Sequence, residues 1–162
     1  MSLINHRRRS ARWHGASQKV GQSAAPLFLD RIDIQCEITP VPFKDISKAA
    51  PGEPSANIRE RVIKAREIQA ARYKDYKGIH CNAQMTERMI HQFAEPDEAG
   101  IDMLRMAMEK LSLSARAYSR ILKVARTIAD LEGCEHVELH HLAEAIGYRA
   151  LDRGDWAERG HI

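Results

Sequence analysis

Apolar and polar positions recur along this chain with two different periods. Between residues 111 and 131, LSLSARAYSRILKVARTIADL, the positions Tyr118, Ile121, Leu122, Ala125, Ile128 and Ala129 return at intervals of three and four, the mark of a helix with one buried face. Ser114 precedes that helix as an N-cap and Gly133 follows it as a C-terminal stop. Upstream, ANIRERVIKAREIQAARYKDY places Ile58, Val62, Ala65 and Ile68 or Gln69 on one helical face, with Ser55 as its N-cap and Gly78 beyond its end. Thr86 heads a short helix ERMIHQF. EAGIDMLRMAMEKL carries Ile101, Leu104, Met108 and Leu111 at helical spacing, with methionines read as core filler, and ELHHLAEAIGYRAL makes a last helix.

The second period is two. PLFLDRIDIQCEITPVPF alternates through Ile32, Ile34, Cys36 and Ile38 before Pro40 and Pro42 close it, which predicts a strand. One strand cannot stand alone, so its sheet partners must come from elsewhere. The expected organisation is mainly α: a bundle of about four to five helices over 52–153, preceded by one strand within 26–48. A disordered or aberrant basic tail covers 1–25, and a frayed end covers 154–162.

Composition narrows this only a little. With 162 residues, 44% hydrophobic and 29% charged, the chain suits one soluble domain that buries roughly 70% of its unfolded surface. No apolar run approaches the ~20 residues that span a bilayer, so no membrane partner is expected. The positive charge at the N-terminus lacks a following apolar stretch, which argues against a secretory leader. Three widely spaced cysteines, Cys36, Cys81 and Cys134, form neither a C-x-x-C pair nor a disulfide framework, so free thiols in a reducing cytoplasm are expected.

Charge is distributed unevenly. Residues 1–29 hold Arg7, Arg8, Arg9, Arg12 and Lys19 with no acid, which is +5 of a net +3 and leaves −2 for the rest. Arg7, Arg8, Arg9 and Arg12 are therefore candidate DNA-binding residues, although a short basic arm of this kind is commonly just a disordered, solvated tail.

Candidate chemistry is sparse. There is no G-x-x-x-x-G-K-[ST] and no G-x-G-x-x-G in the sequence, so these residues hold no nucleotide in the P-loop manner. CEHVELHH sets His136, His140 and His141 close together, but no spaced cysteine or carboxylate completes a zinc shell. Capping or solvent-facing histidines are the plainer reading, and no metal site is expected. Arg31, between Asp30 and Asp33, reads as a surface ion pair. Arg116 lies in the first turn of its helix, where the macrodipole disfavours a cation. Either it is simply solvated, or it meets a phosphate that the free N–H groups also attract. Arg120, Lys123 and Arg126 read as a solvated face.

Four segments in order, LDRIDIQCEITPVPF, GEPSANIRERVIKARE, LSLSARAYSRILKVARTIADLEG and LHHLAEAIGYRALDR, resemble the C-terminal part of the ComM/YifB family, the magnesium-chelatase-like branch of the AAA+ ATPases. The resemblance covers about residues 27–153. It implies a helical lid after the last strand of an ATPase core, with that strand as a remnant here. It puts the sensor-2 motif on Ser114, Ala115 and Arg116, with Arg116 reaching the γ-phosphate of nucleotide held by the same subunit. It puts an arginine finger for the neighbouring subunit on Arg31. ATP with magnesium in the parent protein, a AAA+ core and ring neighbours as partners, and DNA processing during transformation and recombination are also implied. The family's approach to the finger is closer to SGPLLDRID, whereas this chain has SAAPLFLDRID after an unmatched segment. The expected product is thus a fragment, catalytically inert alone. The alternative from another class is a non-catalytic DNA- or protein-binding helical module that uses the basic arm.

Overall fold

The computed structural model describes residues 31–36 and 51–149. Within them five α-helices follow one another: α1 (Ser55–Tyr73), α2 (Glu87–Phe93), α3 (Glu98–Leu111), α4 (Ala115–Glu132) and α5 (Leu139–Gly147), with a 3-10 turn at Asn82–Gln84 between the first two. The mainly helical bundle is as expected. Residues 31–36 form no strand. The Gln35 amide donates to the Tyr148 carbonyl at 3.0 Å and the Arg149 guanidinium donates to the Ile32 carbonyl at 2.5 Å. The segment thus takes its partners from the end of α5, which offers no ladder for a strand to extend. The rest of the expected strand, the arm of residues 1–25 and the tail of 154–162 lie outside the described residues.

Helix α4 is central and packs against α5, α1, the 3-10 turn and α2, while α3 packs on α5. Its stripe of Ala117, Ile121, Leu122, Ala125, Ile128 and Ala129 is buried, joined by Leu104 of α3, Ile90 of α2 and Leu142 of α5. Each of the larger side chains contributes about 1.5–3 kcal/mol by leaving water. The Ser114 hydroxyl accepts from the Ala117 amide at 3.1 Å, and Gly133 closes the helix at φ 76°, a left-handed position that costs glycine nothing. Gly100 lets α3 lie close to its neighbours: a Cβ there would stand 2.7 Å from both Pro96 Cβ and Leu142 Cδ1.

Helix α1 departs from its sequence pattern. Pro54, not Ser55, is the N-cap, and its carbonyl accepts from the Asn57 amide at 3.0 Å. Only Ala65, Gln69 and Tyr73 are buried; Ile58 and Val62 are 43% and 44% exposed. The buried positions of α1 all lie in its C-terminal half, while the apolar positions of its first turns stay two-fifths or more exposed among the described residues. In α3 the same holds for Ile101, and Met106 is exposed, whereas Met85 and Met89 are core.

Polar groups at the heart of the bundle fix where α1 meets α4. Asp130, 1% exposed, accepts from Arg72 Nη1 at 2.8 Å and Nη2 at 2.5 Å, from Arg126 Nε at 3.1 Å and from Asn82 Nδ2 at 2.8 Å. Asn82 is itself held by Tyr73 Oη and Thr127 Oγ1. Burial pushes the Asp130 carboxyl up, but the Arg72 and Asn82 hydrogen bonds and the two guanidinium charges outweigh it, so it lies below the ordinary carboxylate value. Asp130→Ala, which strands two arginines in the interior, should cost about 3–5 kcal/mol in urea unfolding. Because the folded value is depressed, the Asp130 contribution is complete at neutral pH and is lost as pH falls below about 4 through the folded value. Wild-type stability should therefore drop in acid more steeply than that of Asp130→Asn.

Candidate phosphate-binding cleft

The head of α4 borders a cleft of about 580 Å³, a size that suits a small ligand. A tight turn makes it: Ser112 at φ 49° and the Leu113 amide on the Met108 carbonyl end α3 and redirect the chain into the Ser114 cap. Arg116, Ser119, Arg120 and Lys123 of α4 line one side, with Glu87 of α2 and Asp33 of the 31–36 segment opposite. Ser119 donates to both Glu87 oxygens, at 2.9 and 3.1 Å. Tyr118, also on the cleft, has its phenol pushed up by burial and then by the Glu95 and Glu87 charges.

The cationic row of α4 is graded rather than uniformly solvated. Arg116, in the first turn, is exposed. One turn on, Arg120 donates to the Arg31 carbonyl at 2.8 Å and pairs with the Asp33 carboxylate. Lys123 donates to the Ala83 carbonyl at 3.0 Å. Arg126 is 1% exposed and donates to the Cys134 and Glu135 carbonyls at 2.6 and 2.7 Å as well as to Asp130. The reading of Arg120, Lys123 and Arg126 as one solvated face is therefore corrected: α4 turns these positions from the cleft into the core, and each cation donates to a main-chain carbonyl. The spacing of Arg126 and Asp130, four apart on a face otherwise apolar, was the available sign of a buried pair.

Arg31 is exposed, and its backbone is brought beside α4 by Arg120, so the segment carrying Arg31 borders the cleft on which Arg116 lies. Arg7, Arg8, Arg9 and Arg12 lie outside the described residues. The cleft sets three cations and the N-terminal end of a helix against two carboxylates, one of which, Asp33, pairs with Arg120; an anion there would meet the helix end and Arg116.

A second cluster joins Glu132, His140 and His141, whose ligand atoms lie within 4.8 Å of one another; His136 is exposed and not part of it. His141 is buried and acts as a cap: its Nδ1 accepts from the Glu138 amide at 2.9 Å, so the ring proton sits on Nε2 and is donated to Glu132 at 3.1 Å. That tautomer leaves no lone pair for a metal on either nitrogen. The hydrogen bond that His140 donates to the Glu132 carboxylate raises the His140 pKa and lowers that of Glu132.

The magnesium chelatase subunit ChlI C-terminal family model matches residues 52–149. The competence protein ComM of Haemophilus influenzae is 42% identical over 127 residues, covering 78% of this chain and 24% of that protein. The uncharacterized protein YifB of Escherichia coli is 41% identical over the same span and coverage. An uncharacterized protein of Mycobacterium bovis is 32% identical over 130 residues, 80% of this chain and 25% of its own length. The chain thus spans about a quarter of the length of these relatives. No helix among the described residues is long and apolar enough to cross a membrane.

The histidine assignment has a direct check. His141→Ala should lower stability by about 1 kcal/mol through loss of the cap, and His140→Ala should change it by less than about 0.5 kcal/mol. Elemental analysis after incubation with equimolar zinc should find far less than one ion per chain, and stoichiometric zinc that disappears in His141→Ala would contradict the tautomer.

Proposed function

Because this chain belongs to the family of the magnesium chelatase subunit ChlI C-terminal domain, we propose that it is the nucleotide-responsive lid of a AAA+ ATPase of the ComM/YifB type. The observation that supports this best is the setting of Arg116: an exposed arginine in the first turn of the Ser114-capped helix, on a cationic cleft, inside the segment the family model matches. Arg116 would engage the terminal phosphate of ATP held by a core outside these 162 residues, since the sequence contains no P-loop. Guanidinium geometry favours that role, as it stays charged and grips two oxygens.

Magnesium bound with the ATP would neutralise phosphate charge in the parent protein. Its ligands are expected from the core, because the two cleft carboxylates, Asp33 and Glu87, are already engaged by Arg120 and Ser119. Ser114 fixes the helix start, so that the amides and Arg116 face the same oxygens. Arg31 would be offered to the nucleotide of a neighbouring subunit in a ring, where positioning and charge neutralisation are the whole of the catalytic help. Handling of DNA during transformation or recombination is the parent activity we propose, in keeping with a relative that carries the name of a competence protein.

The 162-residue chain alone should show no ATP hydrolysis. Combined with a nucleotide-binding core, Arg116→Ala should lower turnover roughly ten- to a hundredfold, the loss of one charge-assisted hydrogen bond, with an unchanged melting temperature. Turnover equal to wild type would contradict the assignment of Arg116.

A further inference from the structure

Residues 31–36 have no regular secondary structure, yet three side-chain or main-chain contacts make them part of the helical body. Arg149 of the chain leaving α5 donates to the Ile32 carbonyl, and the Gln35 amide donates to the Tyr148 carbonyl. The third contact comes from α4 itself. Arg120 reaches the Arg31 carbonyl and the Asp33 carboxylate with one terminal nitrogen, at positions 89 and 87 residues away in sequence. Its side chain is largely buried in doing so, at 25% exposure. A bond to the Arg31 main chain leaves the Arg31 side chain, which is exposed, unconstrained by that contact.

Arg120 lies one helical turn from Arg116 on the same cleft. A helix moves as a unit over so short a distance, so whatever displaces the head of α4 displaces Arg120 with it. We propose that Arg120 is a positioning residue that fastens the Arg31 segment to α4, so that a shift of α4 on engagement of a phosphate by Arg116 is carried to the arginine offered to the next subunit. This rests on the reading of Arg116 and Arg31 given above. Arg120 is thereby the link from α4 itself between two sites that serve different nucleotides, while Arg149 and the Gln35–Tyr148 bond hold the same segment to the end of α5. Asp33 does more than balance charge: its carboxylate keeps Arg120 turned to the segment rather than to an anion in the cleft.

Two measurements test the tether and separate it from the reading on which it rests. Backbone relaxation in the 162-residue chain should give order parameters near 0.85 for Ile32, Asp33 and Ile34; in Arg120→Ala that of Asp33 should fall most, to about 0.6 or less, because Arg149 and Tyr148 still hold Ile32 and Gln35, with the α4 and α5 amides unchanged. With a nucleotide-binding core added, Arg120→Ala should lower kcat about tenfold and leave KM for ATP within about twofold. Arg120→Lys should recover part of both losses, since an ammonium can reach one of the two acceptors. Residues 32–34 as rigid in Arg120→Ala as in wild type would overturn the tether, and so would a kcat that Arg120→Ala leaves unchanged. If Arg116→Ala leaves turnover unchanged while Arg120→Ala loosens 32–34, the phosphate reading fails and the tether alone stands.

Discussion

A carboxylate with no access to water, Asp130, is the constraint on which the rest of this structure depends. An isolated ion in that position would cost several kcal/mol, and only excellent geometry offsets the penalty. Here Arg72 approaches from α1, Arg126 from α4, the helix of Asp130 itself, and Asn82 from the 3-10 turn. Each of those groups is in turn fixed: Arg126 by the carbonyls of Cys134 and Glu135, Asn82 by Tyr73 and Thr127. The C-terminal halves of α1 and α4, the turn between α1 and α2, and the loop into α5 therefore have one arrangement that satisfies all of them. Apolar burial alone would tolerate several.

Fixing the C-terminal half of α4 determines what its N-terminal half can present. The same row of cations runs from Arg116 at the cleft to Arg126 in the core. With the buried end held, the exposed end is held too, along with the Ser114 cap and the cleft against Glu87 and Asp33. The phosphate contact proposed for Arg116 would be better made from such a rigid element than from a loop, because displacement of an angstrom would waste the charge.

Much of this was legible in the pattern of the chain. The 3-and-4 spacing of Ile121, Leu122, Ala125, Ile128 and Ala129, with Ser114 and Gly133 at the ends, specifies α4 by itself, because cap, stripe and stop agree. Period alone misled at residues 32–36, where alternation predicts a strand but no neighbouring edge exists among the described residues for it to pair with. It also misled at Ile58 and Val62, since a stripe shows which face is apolar and not whether anything covers it. Arg126 and Asp130 did carry a four-residue spacing, but charge is ordinarily a mark of the surface; Arg72 was hidden because its partner Asp130 lies 58 positions away, which no local pattern encodes. Arg149 and Arg120 were missed for the same reason, each being bonded to a main-chain carbonyl far away in sequence. Of the residues lining the cleft, the resemblance had singled out Arg116, while the acidic side of Glu87 and Asp33 emerged only from packing.

The proposed lid role rests on where a terminal phosphate lies when a core delivers it. ATP carrying a photoreactive azidoanilide on its γ-phosphate, bound to a family core together with this chain and then irradiated, reports that position by mass spectrometry of the labelled peptides. Label on the α4 peptide that begins at Ala115, reduced when unmodified ATP competes, is the expected result. Label confined to the core, with none on residues 115–123, would contradict a lid that reads nucleotide through the head of α4.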